Sequence, residues 1–369
     1  MKFEKGKSSD FYRGLNLRVN NYFHTNHLSR FATPQLFIKG LVLFALYTIC
    51  YAGIYVFQNN YALLIGLYML LGITGVMLVF NLVHDASHNA ISKIKPINRL
   101  LCYLGDVVGI NTYIWDIRHN VQHHSFTNVL GGDLVIENIP LLRISPHQPL
   151  KKFHAWQPYY AVFLYLFYSL YWIMVIDFKL FFKKEICNLK NIKHPAREWA
   201  LLIFFKSFYI VYMLVLPIIF TAIPWYYVLL LFLLMHATGG LLLSIVAVLG
   251  HFVMGPAFPE PKEGVLENSW SEHELDATID FAPSSRIINW ITGGLNTHVA
   301  HHLYPQICHT HYYAITPIIE SYCKENGFNY RKESLGNALV SHFKFLKMLS
   351  QEKTENNGDF HREYSGAIV

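Results

Sequence analysis

Two stretches of 44 residues, 40–83 and 207–250, contain no Asp, Glu, Lys or Arg. Nothing else in the chain limits its fold as strongly. A helix needs about 20 apolar residues to cross the hydrocarbon core of a bilayer. Each stretch therefore fits two crossings and a tight turn, expected at Gln58-Asn59-Asn60 and at Ala222-Ile223-Pro224. Charged residues make up 15% of the chain, against roughly 25% in ordinary soluble proteins. The expectation is an all-α integral membrane protein with four transmembrane helices in two hairpins, at about 40–58, 61–83, 200–221 and 226–250, and a cytosolic helical cap.

The basic residues set the orientation. Seven Lys/Arg fall in residues 1–39, 13 in 84–198 and nine in 251–369, and neither hairpin turn carries any. The positive-inside bias then puts both termini and the middle segment in the cytosol. The net charge of +6 follows from this topology and does not point to nucleic acid. A third apolar stretch, 155–176, is dense in Tyr, Phe and Trp, which favour the membrane interface. If it crossed, the last histidine cluster would face the opposite side from the first two, so an interfacial or re-entrant helix is expected. The domain plan is an amphipathic cytosolic segment at 1–35, a membrane domain at 36–320 and a cytosolic segment at 321–369 whose tail from about residue 350 is polar. The five cysteines form no CxxC pair, so neither disulfides nor a structural zinc site is expected. Residues 1–35 hold no apolar run of signal-peptide type.

Eight of the 20 histidines fall in three clusters beside the apolar stretches: His84/His88, His119/His123/His124 and His298/His301/His302. Histidine is the commonest metal ligand among side chains. At i, i+4 spacing a helix puts His84 with His88, and His119 with His123, on one face. His124 turns toward a neighbouring face. His298, His301 and His302 share a face as i, i+3 and i+4. Each cluster is thus expected to aim two or three ring nitrogens at one point, and eight ligands suit two ions. Scattered histidines such as His24, His27, His147 and His361 read as ordinary surface or core residues. A metal site at the hydrocarbon boundary suggests a long apolar substrate. Breaking unactivated C–H bonds requires a redox metal with O2, which iron supplies and zinc does not.

The motifs His84-Asp85-Ala86-Ser87-His88, His119-Asn120-Val121-Gln122-His123-His124 and His298-Val299-Ala300-His301-His302 resemble the three histidine boxes of the membrane fatty acid desaturase family. The resemblance covers roughly residues 20–320, and the flanking pattern looks most like the front-end, linoleoyl-CoA desaturase-like members. It implies an O2-dependent desaturase that introduces a C=C bond into an acyl-CoA or lipid-linked acyl chain. It further implies two iron ions held by His84, His88, His119, His123, His124, His298, His301 and His302, with O2 as co-substrate. Family members commonly add a histidine after the fourth span, a role that His251 fits better than His273. Some carry Asn four residues before it, where this chain has Ala247. Many front-end members carry Gln at the position of His298; the histidine here restores a full ligand. No His-Pro-Gly-Gly haem signature is present, so an external electron donor, a cytochrome b5-type protein or a ferredoxin, is implied.

Ligand imidazoles usually give their second N–H to a carboxylate or carbonyl. Asp85, Asn128, Asp276 and Asn296 are candidates for that supporting role, with Asp116 and Asp280 nearby. Trp115, Trp270, Trp290 and Tyr304 are candidates for an acyl tunnel, although core packing explains such aromatics equally well. Lys206 is placed to snorkel to the cytosolic surface. His236, about 22 Å of helix from His251, is too distant to share its metal. Two other readings remain open: a fatty acyl hydroxylase or related di-iron oxygenase, and, more remotely, a membrane metal-binding or transport protein.

Overall fold

The computed structural model describes residues 1–4, 9–137 and 140–351. The polar tail lies, beyond Gln351, outside the described residues. The described chain is helical, with two pairs of two-residue parallel strands: Lys2–Phe3 with Val265–Leu266, and Asp280–Phe281 with Lys332–Glu333. Five helices are long and apolar enough to cross a membrane: Pro34–Val56, Tyr61–Ser87, Lys152–Phe181, Ala196–Phe220 and Trp225–Leu249. Both expected hairpins are present.

The first and third of the expected spans start earlier than the charge pattern indicated. Pro34 opens one and Pro195 immediately precedes the other. Proline suits a helix start because its missing N–H has no intrahelical partner there and its φ is preset. The aromatic stretch expected at 155–176 belongs to a longer helix, Lys152–Phe181, which has the length of a crossing. Four segments widen into π-helical turns: Val79–Val83, Ile117–Gln122, Trp172–Ile176 and Val211–Val215. Such turns shift the helical phase by one residue, and the first two border histidine clusters.

The chain divides into two compact units. One comprises Phe31–Ile117 and Val162–Ile245 and holds most of the apolar helix length. Its backbones approach closely at glycines. A Cβ on Gly72 would lie 2.1 Å from the Met235 carbonyl oxygen. Two of its buried ionisable groups, Lys206 and His236, are paired. Lys206 does not reach for the surface; it is buried, with Nζ donating to Asp177 Oδ2 at 2.5 Å and to the Ile173 carbonyl at 2.8 Å. His236 contacts Ser169 Oγ at 3.0 Å and Tyr209 Oη at 2.9 Å.

The other unit comprises Met1–Arg30, Arg118–Ala161 and Val246–Val369. Its N-terminal helix, Ser9–Thr25, buries Phe11, Leu15, Val19 and Phe23. This i, i+4 stripe packs into a core shared with Val299, Leu303, Ile315 and Ile319. Tyr12 Oη donates to the Leu303 carbonyl at 3.1 Å. The amphipathic N-terminus thus braces the helix that bears the third histidine cluster.

Gly72→Ala should lower the thermal unfolding midpoint in detergent, by an amount equivalent to about 1–3 kcal/mol of overpacking. Gly66→Ala, whose Cβ meets nothing within 4 Å, should leave the midpoint unchanged. Equal midpoints for the two variants would refute the close helix approach at Gly72.

Candidate metal centre

The ring nitrogens of His123, His251, His298 and His302 lie within 4.8 Å of one another, all four residues buried. His251 Nε2 sits 3.0 Å from His123 Nε2 and 2.7 Å from His298 Nε2. Ligands at the 2.0–2.1 Å typical of metal–imidazole bonds lie about 3 Å apart around a shared ion.

Protonation shows what these contacts require. His251 Nδ1 is 3.1 Å from the Ala277 carbonyl, and His298 Nδ1 is 3.0 Å from the Leu295 carbonyl. A carbonyl only accepts, so in a neutral ring each Nδ1 carries the proton and each Nε2 presents a lone pair. Burial, with His298 and His123 beside it, holds His251 well below its usual pKa and keeps it neutral. Two such lone pairs at 2.7 Å repel each other unless a cation lies between them. His302 Nε2, also buried, has no hydrogen-bond partner. The donor set therefore fits a metal ion.

The remaining two rings rest on carboxylates. His123 Nδ1 is 2.8 Å from Asp133 Oδ2, and His302 Nδ1 is 2.7 Å from Glu274 Oε2. Burial works against the Asp133 charge, but the His123 ring and the backbone N–H groups of Asn128 and Val135 outweigh it and hold the carboxyl below its ordinary range. Burial pushes Glu274 well above that range and His302 well below its own. A bound cation would draw Glu274 back to the carboxylate. Thr127 Oγ1 donates to Glu274 Oε2 at 2.9 Å.

A second group forms beside the first. His119 Nε2 lies 3.2 Å from His124 Nε2, and the His124 and His301 rings are 4.5 Å apart. His124, His301 and His302 also bring one nitrogen each within 4.8 Å, so His302 stands where the two groups meet. In the other unit, the rings of His84 and His88 are 4.9 Å apart, with Trp115 5.7 Å from His84.

This arrangement corrects one expectation from helical spacing. The second and third clusters do not each aim at a single point. The π-helical Ile117–Gln122 and the tight turn His123–Ser125 pair His119 with His124 and send His123 to the quartet. In the His298–Leu303 helix, His298 and His302 face the quartet while His301 faces the other group.

Local sequence explains the fit. A Cβ on Gly250 would lie 2.5 Å from His298 Cδ2, so only glycine admits that ring beside His251. Asp280 Oδ1 accepts the Val299 N–H at 2.9 Å and caps the third histidine helix. Ser269 and Glu272 form a capping box that starts the Trp270–Ala277 helix and sets the register that buries Glu274.

Of the supporting candidates, Asn128 acts at one remove: it adopts φ +57° and its N–H donates to Asp133 Oδ2 at 2.9 Å. Asp85 Oδ1 lies 3.8 Å from His84 Nδ1. Asp276 pairs instead with Arg331 at 3.3 Å. Asn296 binds the Ala282 carbonyl and Thr292, bracing the loop before the helix. The His273 ring lies tilted by 45° against Phe3, 5.3 Å between centroids; burial lowers its pKa to about 4, and it belongs to neither histidine group. Asp133 and Glu274, the carboxylates that do contact the rings, escaped the sequence reading. Their only sequence signal is nearness: Glu274 follows His273, and Asp133 lies ten residues after His123.

The tunnel candidates are also redistributed. Trp290 is 49% exposed. Trp270 Nε1 donates to the His124 carbonyl at 3.1 Å, and Tyr304 is buried in the core with Tyr12. The mostly apolar cavity of the helix-rich unit has a volume of about 50 Å³ and is lined instead by Tyr47, Leu71, Gly75, Ile110, Trp172 and His236, among others.

Residues 59–334 match the family model described as fatty acid desaturase. The chain belongs to the fatty acid desaturase family. It is similar to the sn-1 linoleoyl-lipid 6-desaturase of Arthrospira platensis, at 33% identity over 94% of each chain. The protein of the same name from Synechocystis sp. is 31% identical, over 92% of this chain and 96% of that one. The acyl-lipid (8-3)-desaturase of Physcomitrium patens is 29% identical, over 94% of this chain and 73% of that one. The protein is thus an enzyme, a fatty acid desaturase, with histidine clusters able to bind metal.

In this desaturase, Glu274→Gln and Asp133→Asn should each lower metal affinity by about 10–100-fold, as loss of a ligand's hydrogen-bonded carboxylate does elsewhere. Metal content of the purified protein after graded chelation, by elemental mass spectrometry, measures this. Unaltered retention in both would remove these carboxylates from the centre. Complete chelation of the wild type should lower its unfolding temperature, because the metal binds the folded quartet and not the unfolded chain.

Proposed function

We propose that the desaturase introduces a C=C bond into a lipid-linked acyl chain, using a di-iron centre, O2 and electrons from an external cytochrome b5-type protein or ferredoxin. The observation that carries this reading is the convergence of ring nitrogens from His123, His251, His298 and His302, next to a second group of His119, His124 and His301. His84 and His88 are included as ligands on the strength of their motif. Bound iron would supply the O2-dependent oxidation that removes one hydrogen from each of two adjacent carbons. Zinc has no redox chemistry and fits the family's reaction poorly. The similarity to linoleoyl-lipid and acyl-lipid desaturases favours a glycerolipid-borne chain over acyl-CoA.

The protein's own residues hold the rings and exclude water. Asp133, Glu274 and the carbonyls of Ala277 and Leu295 fix each Nδ1–H, leaving the Nε2 atoms to the metal. The apolar cavity around Gly75 and Trp172 takes part of the acyl chain, and its walls set how far the chain enters. Gly75 leaves this space open: a Cβ there would meet only Tyr47, at 3.4 Å.

The quartet also supports the expected topology. His123 precedes the Lys152–Phe181, Ala196–Phe220 and Trp225–Leu249 helices, and His251 follows them. Their rings meet at 3.0 Å. An even number of crossings must therefore separate them. The Ala196–Phe220/Trp225–Leu249 hairpin supplies two, and Lys152–Phe181 stays on the side it enters from. Four spans, with both termini and the histidines cytosolic, agree with the placement of the lysines and arginines.

Expression in a host without polyunsaturated lipids, with fatty-acid profiling and double-bond location, tests the reaction. New unsaturation is expected in glycerolipids. A hydroxylated product, or none with donor supplied, would overturn it. His301→Ala should abolish the product while the protein stays in the membrane. Gly75→Leu should favour shorter chains among the products; an unchanged chain-length profile would separate the cavity from the substrate.

A further inference from the structure

A second concavity, of about 620 Å³, lies in the unit that carries the quartet, between the start of the Lys152–Phe181 helix and the C-terminal helix Leu335–Leu349. Its volume is typical of small-molecule sites, roughly 300–1,000 Å³. The floor is apolar: Tyr159, Leu339, Val340 and Phe343. The rim carries Lys344 and Lys347, both exposed. Lys151 and Lys152 begin the neighbouring helix, and Lys151 Nζ sits 5.9 Å from the Phe153 ring.

The two chain segments that form the groove carry charge of one sign, although Glu260 from another segment lies 3.9 Å from His147. Residues 140–176 and 334–351 contain Arg143, Lys151, Lys152, Lys344 and Lys347 but no Asp or Glu. Arg143 is occupied, with its guanidinium donating to the carbonyls of Leu349, Gln148 and Pro146. The other four are surface cations. Exposed aromatics sit beside them: Trp156 is 67% exposed and Tyr159 79%. Trp and Tyr of this kind, next to lysines at the start of a long apolar helix, mark the level of lipid headgroups. A groove with an apolar floor and a cationic rim at that level is complementary to one ligand class, an anionic phospholipid.

We propose that this groove is a binding site for an anionic phospholipid, with the phosphate held by Lys344 and Lys347 and an acyl chain lying along Tyr159, Val340 and Phe343. The site lies apart from the histidine groups and involves none of their ligands. It would attach the C-terminal helix to the membrane surface and make its seating depend on lipid charge.

The test uses the full chain, extracted from membranes containing phosphatidylglycerol and phosphatidylcholine in equal amounts and washed in detergent. Retained lipids are counted by mass spectrometry. About a ten-fold enrichment of phosphatidylglycerol is expected, and Lys344→Gln and Lys347→Gln should each remove roughly five-fold. Lys344→Arg/Lys347→Arg should keep the enrichment, since both cations remain. Size-exclusion profiles identify any variant that fails to fold, and Val340→Asp gives an independent test by placing a carboxylate in the groove. Equal retention of the two lipids by the wild type, or enrichment unaffected by the Gln and Asp variants, overturns the proposal. So does enrichment that appears only after residues 352–369 are removed, which would assign the groove to the chain's own C-terminal segment.

Discussion

His251, which burial keeps neutral, and His298 point their Nε2 atoms at each other across 2.7 Å, and much of the surrounding unit serves to hold them there. Their outer nitrogens are committed to carbonyls, so neither ring can rotate its proton inward without losing a buried hydrogen bond. Such a contact is repulsive on its own. It is retained because Gly250 leaves room for the ring, Asp280 caps the His298–Leu303 helix, and the N-terminal helix packs Leu15 and Val19 into the core beneath. The stability given up at this point is recovered when a cation binds, which couples metal binding to folding of the surrounding unit.

The two carboxylates extend this logic. Asp133 and Glu274 are buried, where a charge is costly, and each contacts a histidine of the quartet. A cation bound across the ring would compensate negative charge there. Asn128 donates to Asp133 Oδ2 and Thr127 to Glu274 Oε2, so removing a histidine or its carboxylate leaves a buried polar group without its partner. The quartet, its carboxylates and the loops that carry them therefore behave as one coupled network.

The gross plan was legible in the sequence. Uncharged stretches of fixed length mark hydrocarbon, and the hairpins and their turns appear where the residues put them. That the clustered histidines and His251 gather into groups able to hold metal was also readable, because such a density of one residue type is rare by chance. Partner assignment was not. Regular i, i+4 geometry pairs His119 with His123, whereas the π-helical turn at Ile117–Gln122 shifts the phase and pairs His119 with His124. A single extra residue per turn carries too little sequence signal to foresee. Asp276 illustrates the same limit: its place near the clusters in sequence made it a candidate, but Arg331, 55 residues away in sequence, claims it.

Sequence alone determined the apolar helical character of the chain, the residue type that gathers at its histidine groups and the family, since each follows from local composition or from motifs read in order. Tertiary structure decided which histidines share a centre, which carboxylates stand behind them and which residues line a cavity. Those choices depend on contacts between residues far apart in the chain, 147 positions for Thr127 and Glu274 and 175 for Thr127 and His302. Such contacts are fixed by how helices pack, and packing is a property of the whole chain rather than of any window within it.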